Sequence, residues 1–121
     1  MLTKQNVLDI VYNHFVTLGN PPSVVTKKTR NNGTVQKCMY RSKNGAKCAA
    51  GVLLYKSEYN TSFEGQPFFR VAPTRLKHLV GFIVELQYVH DGVATMCKDK
   101  IPSFRRKLKQ VADRHGLKVP E

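Results

Sequence analysis

Apolar positions recur along this chain with two periods, one near 3.6 residues and one of two. Val7, Val11, His14, Phe15 and Leu18 form a single helical stripe and predict a first helix over residues 3–18. Thr3 supplies a capping hydroxyl, and Leu2 and Val7 have the spacing of a hydrophobic staple. Gly19 ends that helix, and Pro21 and Pro22 prevent its return. Leu76, Leu79, Val80, Ile83, Leu86 and His90 predict a second helix from about Thr74 to Asp91, closed by Gly92. Phe82, Val84 and Val89 make it apolar nearly all round, as expected of a central, covered helix. A third helix is predicted over Ser103–His115, with Ser103 as its cap after Pro102. Phe104, Leu108, Val111, Ala112 and His115 face inward, and Gly116 closes it.

The period of two appears between the first and second helices. Asn44-Gly45 is a hairpin turn signal, and it predicts a β-hairpin over Thr34–Leu54. Ala46, Cys48, Ala50, Val52 and Leu54 are apolar and even-numbered, as are Cys38 and Tyr40. A three-residue loop, Lys43-Asn44-Gly45, makes partner numbers sum to 88 and puts both sets on one face; a two-residue turn would oppose them. Residues 19–33 form a basic, Pro/Gly-punctuated connection. It is expected to be a flexible surface loop unless Val24 and Val25 start a short strand. Tyr55 to Arg70 is irregular and aromatic-rich, with Gln66 to Val71 a candidate third strand. The expected fold class is α+β: N-terminal helix, β-hairpin, long central helix and basic C-terminal helix.

A chain of 121 residues suits one domain, here 1–121, and buries enough surface to need no disulfide or metal staple. The longest apolar run, Leu79–Val84, is far short of the roughly 20 residues of a membrane span. With three cysteines and no signal-like apolar block at the start, a reducing cytoplasm is the expected location. Charge is the extreme value: 20 Lys+Arg against 8 Asp+Glu, formally +12. Such a balance speaks to anionic partners rather than to fold.

The run Cys38-Met39-Tyr40-Arg41, then Gly45, Lys47-Cys48-Ala49-Ala50-Gly51 and Leu53, resembles a family of small uncharacterised proteins encoded in phage and prophage genomes. Tyr59, Glu64-Gly65, Leu86-Gln87, His90-Asp91, Ala112 and His115-Gly116-Leu117 continue the likeness in order. It covers most of the chain from residue 38 onward. The chain departs from the family's pattern at Tyr55-Lys56, where a Pro-Asp pair tends to follow the second strand, and it is more basic. The resemblance implies a phage context and brings no established reaction.

His90-Asp91 has the composition of a general base and its orienter. Adjacent helical residues point about 100° apart, which argues against a dyad, and His90's place on the core stripe points to a buried structural histidine. A carboxylate at a helix C-terminus opposes the macrodipole, so Arg41 is the expected partner of Asp91. Cys38 and Cys48 lack the close spacing of zinc ligands and read as small core residues; no metal, cofactor or catalytic residue is assigned.

The cations fall into two groups. Arg105, Arg106 and Lys107 crowd the expected first turn of the last helix behind Ser103, where backbone N–H groups favour anions; Lys98, Lys100, Lys109, Arg114 and Lys118 extend that patch. Lys27, Lys28, Arg30, Lys37, Arg41, Lys43 and Lys47 form a second stretch free of acids. Exposed Tyr55, Tyr59 or Phe63 beside it would permit base stacking, although such aromatics are more often core. No phosphate loop, dinucleotide fingerprint, nucleophile elbow or zinc-protease helix is present. These features lead to a phage-encoded, non-enzymatic basic accessory protein. Its target would be nucleic acid or a host nucleoprotein complex, in host takeover or evasion of defence, without a membrane partner. An inhibitor docking on an acidic host protein is the alternative, and a small hydrolase or nuclease using His90 is a third.

Overall fold

The structure, a computed structural model, describes residues 1–120. Thr3 caps the first helix as expected. Its hydroxyl oxygen accepts the Asn6 N–H, and the Asn6 side chain accepts the Thr3 N–H. Helix α1 spans Lys4–Tyr12 and widens into a π turn over Asn13–Thr17 before Gly19, whose positive φ ends it. Val7, Val11 and Phe15 are buried, whereas Leu18 at the end of the stripe lies exposed beyond the π turn.

The β-hairpin exists, but upstream of its expected position. Strand β1 is Val24–Lys28 and β2 is Thr34–Cys38, antiparallel, with Val24 opposite Cys38 and Lys28 opposite Thr34. A third of the expected loop over residues 19–33 is therefore strand. The connection Thr29–Gly33 turns through Asn32, a residue type that tolerates the left-handed conformation it holds. At Asn44-Gly45 the expected register is present, with Arg41 bridged to Lys47, but only as that one bridge. The segment that alternates from Ala46 to Leu54 is mostly helix: α2 covers Ala49–Leu53. Phe68–Val71 is likewise a short helix, α3, in place of a third strand.

The central helix enters through a 3-10 segment, Thr74–Leu79, and continues as α4, Val80–Met96. It runs through Gly92 and Asp91 instead of stopping there. Its end is capped from outside: the Lys100 ammonium donates to the carbonyls of Val93, Ala94 and Cys97. Helix α5 then spans Lys100–His115, so it starts three residues before Ser103, and Ser103 is buried within it. Gly116, at φ 67°, ends α5. Phe104, Leu108, Val111 and Ala112 point inward, and Phe104 stacks on Phe15 with centroids 4.5 Å apart. The core thus lies between α1, α2, α4 and α5, and the two-stranded arm stands off it. Only the arm's base is half-buried; Thr26–Gln36 and Lys37 are exposed.

Candidate functional site

Cys38, Tyr40, Arg41, the Cys48–Gly51 run, Glu64, Gln87, His90 and Asp91 converge beneath the arm. His90 is fully buried on α4. Its Nε2 accepts the Ser23 backbone N–H at 3.0 Å, which leaves the ring proton on Nδ1 to be donated to Asp91 Oδ1 at 2.9 Å. The expectation that neighbours on a helix could not pair is therefore corrected. Their Cβ atoms diverge, but the short aspartate turns back against the ring nitrogen nearest the backbone. Gln87, one turn earlier, donates to the same Asp91 oxygen and accepts the Ala50 N–H on its own Oε1. Cys38 adds its thiol. Burial and then Asp91 push its pKa up to about 12, so it stays protonated close to the carboxylate.

The Cys-Ala-Ala-Gly run is explained by the same packing. Cys48 sits at the N-cap of α2, where its Sγ accepts the Gly51 N–H at 3.3 Å. A Cβ on Gly51 would overlap the Tyr40 carbonyl, so no other residue fits there. Glu64 closes the outer side: it accepts the N–H groups of Tyr40 and Arg41 and the Tyr59 hydroxyl. Arg41 does not pair with Asp91, contrary to expectation. Its guanidinium donates to the Leu54 carbonyl at 2.6 Å and lies 5.2 Å from the Tyr59 ring centroid. Asp91 needs no such partner, because α4 continues past it and its carboxylate already has two donors, Gln87 and His90.

Cys38, His90 and Asp91 place one ligand-type atom each within 4.8 Å of one another. The geometry does not fit a metal. Only Nδ1 faces the cluster, and freeing it would move the proton to Nε2, against the Ser23 N–H. The half-buried thiol would also have to ionise despite its raised pKa. The same two hydrogen bonds leave His90 no open nitrogen for general-base work. The cluster is an anchor. It ties Ser23, just before β1, and Cys38, at the end of β2, to the central helix.

Above that anchor the arm carries Lys27, Lys28, Arg30 and Lys37, all exposed, with Lys43 at the adjoining turn. Pairing puts Val25, Lys27, Val35 and Lys37 on one face. Lys27, Lys37 and Lys43 line a single groove together with Val25, Met39 and one carboxylate, Glu64. No Asp or Glu occurs between Asp9 and Glu58. Lys47 lies apart, half-buried near His14, whose pKa is lowered by burial and then by that charge.

The second group is partly spent. Lys100 caps α4, Lys109 faces Asp113 at 3.5 Å, and Arg114 pairs with Glu85 at 2.6 Å. Lys107 is half-buried over Gly92. Arg105 and Arg106 are exposed but lie in the second turn of α5, where the backbone N–H groups are already bonded within the helix. Ser103 and Lys98 therefore do not frame an anion site at a helix start. Of the aromatics considered, Tyr59 and Phe63 pack against the core, and Tyr55 is covered by the Arg75 guanidinium at 3.9 Å. Phe69 and Tyr88 are the exposed rings near the arm, and neither had a distinguishing sequence signal.

No family model, curated protein or solved structure matches this chain. No helix among the described residues is long and apolar enough to cross a membrane.

Proposed function

We propose that the protein is a phage-encoded, non-enzymatic accessory that binds nucleic acid, free or within a host nucleoprotein complex, in the host cytoplasm. The observation that supports this most is the groove shared by Lys27, Lys37 and Lys43 on an exposed arm, where three cations face the single carboxylate of Glu64, itself taken up by three hydrogen bonds. A two-stranded ribbon bearing cations can follow a phosphate backbone, and it needs no catalytic group to do so. The phage setting is supported by the motif likeness, and the absence of an enzymatic role by the closed hydrogen bonding of His90.

Fluorescence anisotropy with a labelled single-stranded oligonucleotide tests the proposal. Five arm cations (Lys27, Lys28, Arg30, Lys37 and Lys43), each on one phosphate, give a log–log salt slope of about −3.5. Affinity should then fall about 100-fold between roughly 50 and 200 mM salt. A flat response, or an absence of binding at low salt, would refute it. Capture of one acidic protein that survives nuclease treatment, with no oligonucleotide binding, would favour the inhibitor alternative.

A further inference from the structure

Beside the lysine groove, and sharing Met39 and Glu64 with it, lies a second cleft of about 320 Å³. That volume is at the small end of ligand sites and accommodates one planar ring system. Phe69 and Tyr88 stand in its walls, 63% and 73% exposed. Large rings left in water at a cleft are available as stacking surfaces. Asp91 lies in the same lining with 43% of its side chain exposed, and is held in place by Gln87 and His90. An ionised carboxylate has about four lone-pair sites, so two donors, both on Oδ1, leave acceptor capacity toward the cleft. Glu64, with three donors of its own, is occupied in holding the chain at Tyr40 and Arg41.

We infer that this cleft receives one unpaired, amino-bearing nucleobase of a single strand whose phosphates lie along the lysine groove, with Tyr88 and Phe69 stacking and Asp91 accepting from the exocyclic amine. The inference rests on the nucleic-acid reading above and adds the kind of strand and base. A free cation is the other ligand that an aromatic-walled carboxylate attracts, but Lys27, Lys37 and Lys43 line the adjoining groove, on a chain of net charge +12, and disfavour it. Adenine and cytosine present an amine to an acceptor-only group, whereas thymine flanks its single N–H with two carbonyls.

The test is competition anisotropy with oligo-dA, oligo-dC and oligo-dT of equal length at one salt concentration. Wild type should prefer dA and dC to dT by about fivefold or more, in line with one stacked and hydrogen-bonded base. Tyr88→Ala, at an exposed position, should bring the three affinities together while leaving the salt slope unchanged. Asp91→Asn, checked for an unaltered unfolding midpoint, should shift preference toward dT, because the amide offers a donor. Steep salt-dependent binding with equal affinities in wild type, or a preference untouched by Tyr88→Ala, would overturn this inference alone. Failure of every oligonucleotide to bind would overturn the function proposed above as well.

Discussion

Replacing His90 by leucine separates the two things the ring does, which are to fill space against Phe15 and Phe104 and to make two hydrogen bonds. Leucine roughly preserves the volume, so the packing part of the change stays below about 1.5 kcal/mol. The Ser23 N–H, fully buried, then loses its acceptor, at about 1–3 kcal/mol, and Asp91 loses one donor, at about 1 kcal/mol. The expected total is about 3 kcal/mol, which lowers the thermal midpoint of a domain of this size by roughly 12 °C. Urea unfolding followed by circular dichroism measures it, with an unchanged m-value as the check that only stability moved. His90→Gln, which keeps a donor and an acceptor, should recover part of the loss. Because the bonds tether the arm, amide exchange in Val24–Lys28 and Thr34–Cys38 should also quicken in His90→Leu. A leucine variant within about 0.5 kcal/mol of wild type would refute the anchor, since the buried bonds would then contribute nothing measurable.

Gly51→Ala should cost about 3 kcal/mol or prevent folding, because the new Cβ meets the Tyr40 backbone; a thermal scan beside Gly45→Ala, where nothing lies within 4 Å, shows whether contact or positive φ governs. Stability should be full at neutral pH and decline as pH falls below 6.5, because burial and Lys47 lower the folded-state pKa of His14 and the unfolded chain takes the proton first. A second decline should follow below 4.5, as Glu58, held down by Arg75, and Glu85, where Arg114 and His115 outweigh the effect of burial, are protonated; unfolding curves from neutral pH to acid, with His14→Phe removing the first step, would display both. Dialysis against EDTA should leave the unfolding midpoint unchanged, and a fall would show that the Cys38, His90 and Asp91 group holds a metal after all.

The long helices were legible because their stripes repeat over several turns and their ends carry local signals. Thr3 and Gly116 are where a cap and a stop were expected. The hairpin was misplaced because a short apolar alternation does not distinguish strand from helix. Ala46 to Leu54 alternates, yet α2 forms there because Gln87 accepts the Ala50 N–H and Cys48 the Gly51 N–H. The first of those partners is 37 residues away and leaves no local trace. Gly92 did not act as a stop, because α4 runs on through it to an end capped by Lys100. That displacement moved the start of α5 and removed the anion site expected behind Ser103. At the site itself, the charge of the arm was visible in the sequence. Its convergence with Met39, Tyr88 and Asp91 depends on the fold of residues 38–91 and was not.

The most direct test of the function is the salt dependence of oligonucleotide binding by the triple variant Lys27→Ala, Lys37→Ala, Lys43→Ala. If these side chains neutralise three phosphates, the slope should drop from about −3.5 to about −1.4, while the unfolding midpoint stays that of wild type. A variant that binds with the wild-type slope would mean that the arm does not meet the phosphates.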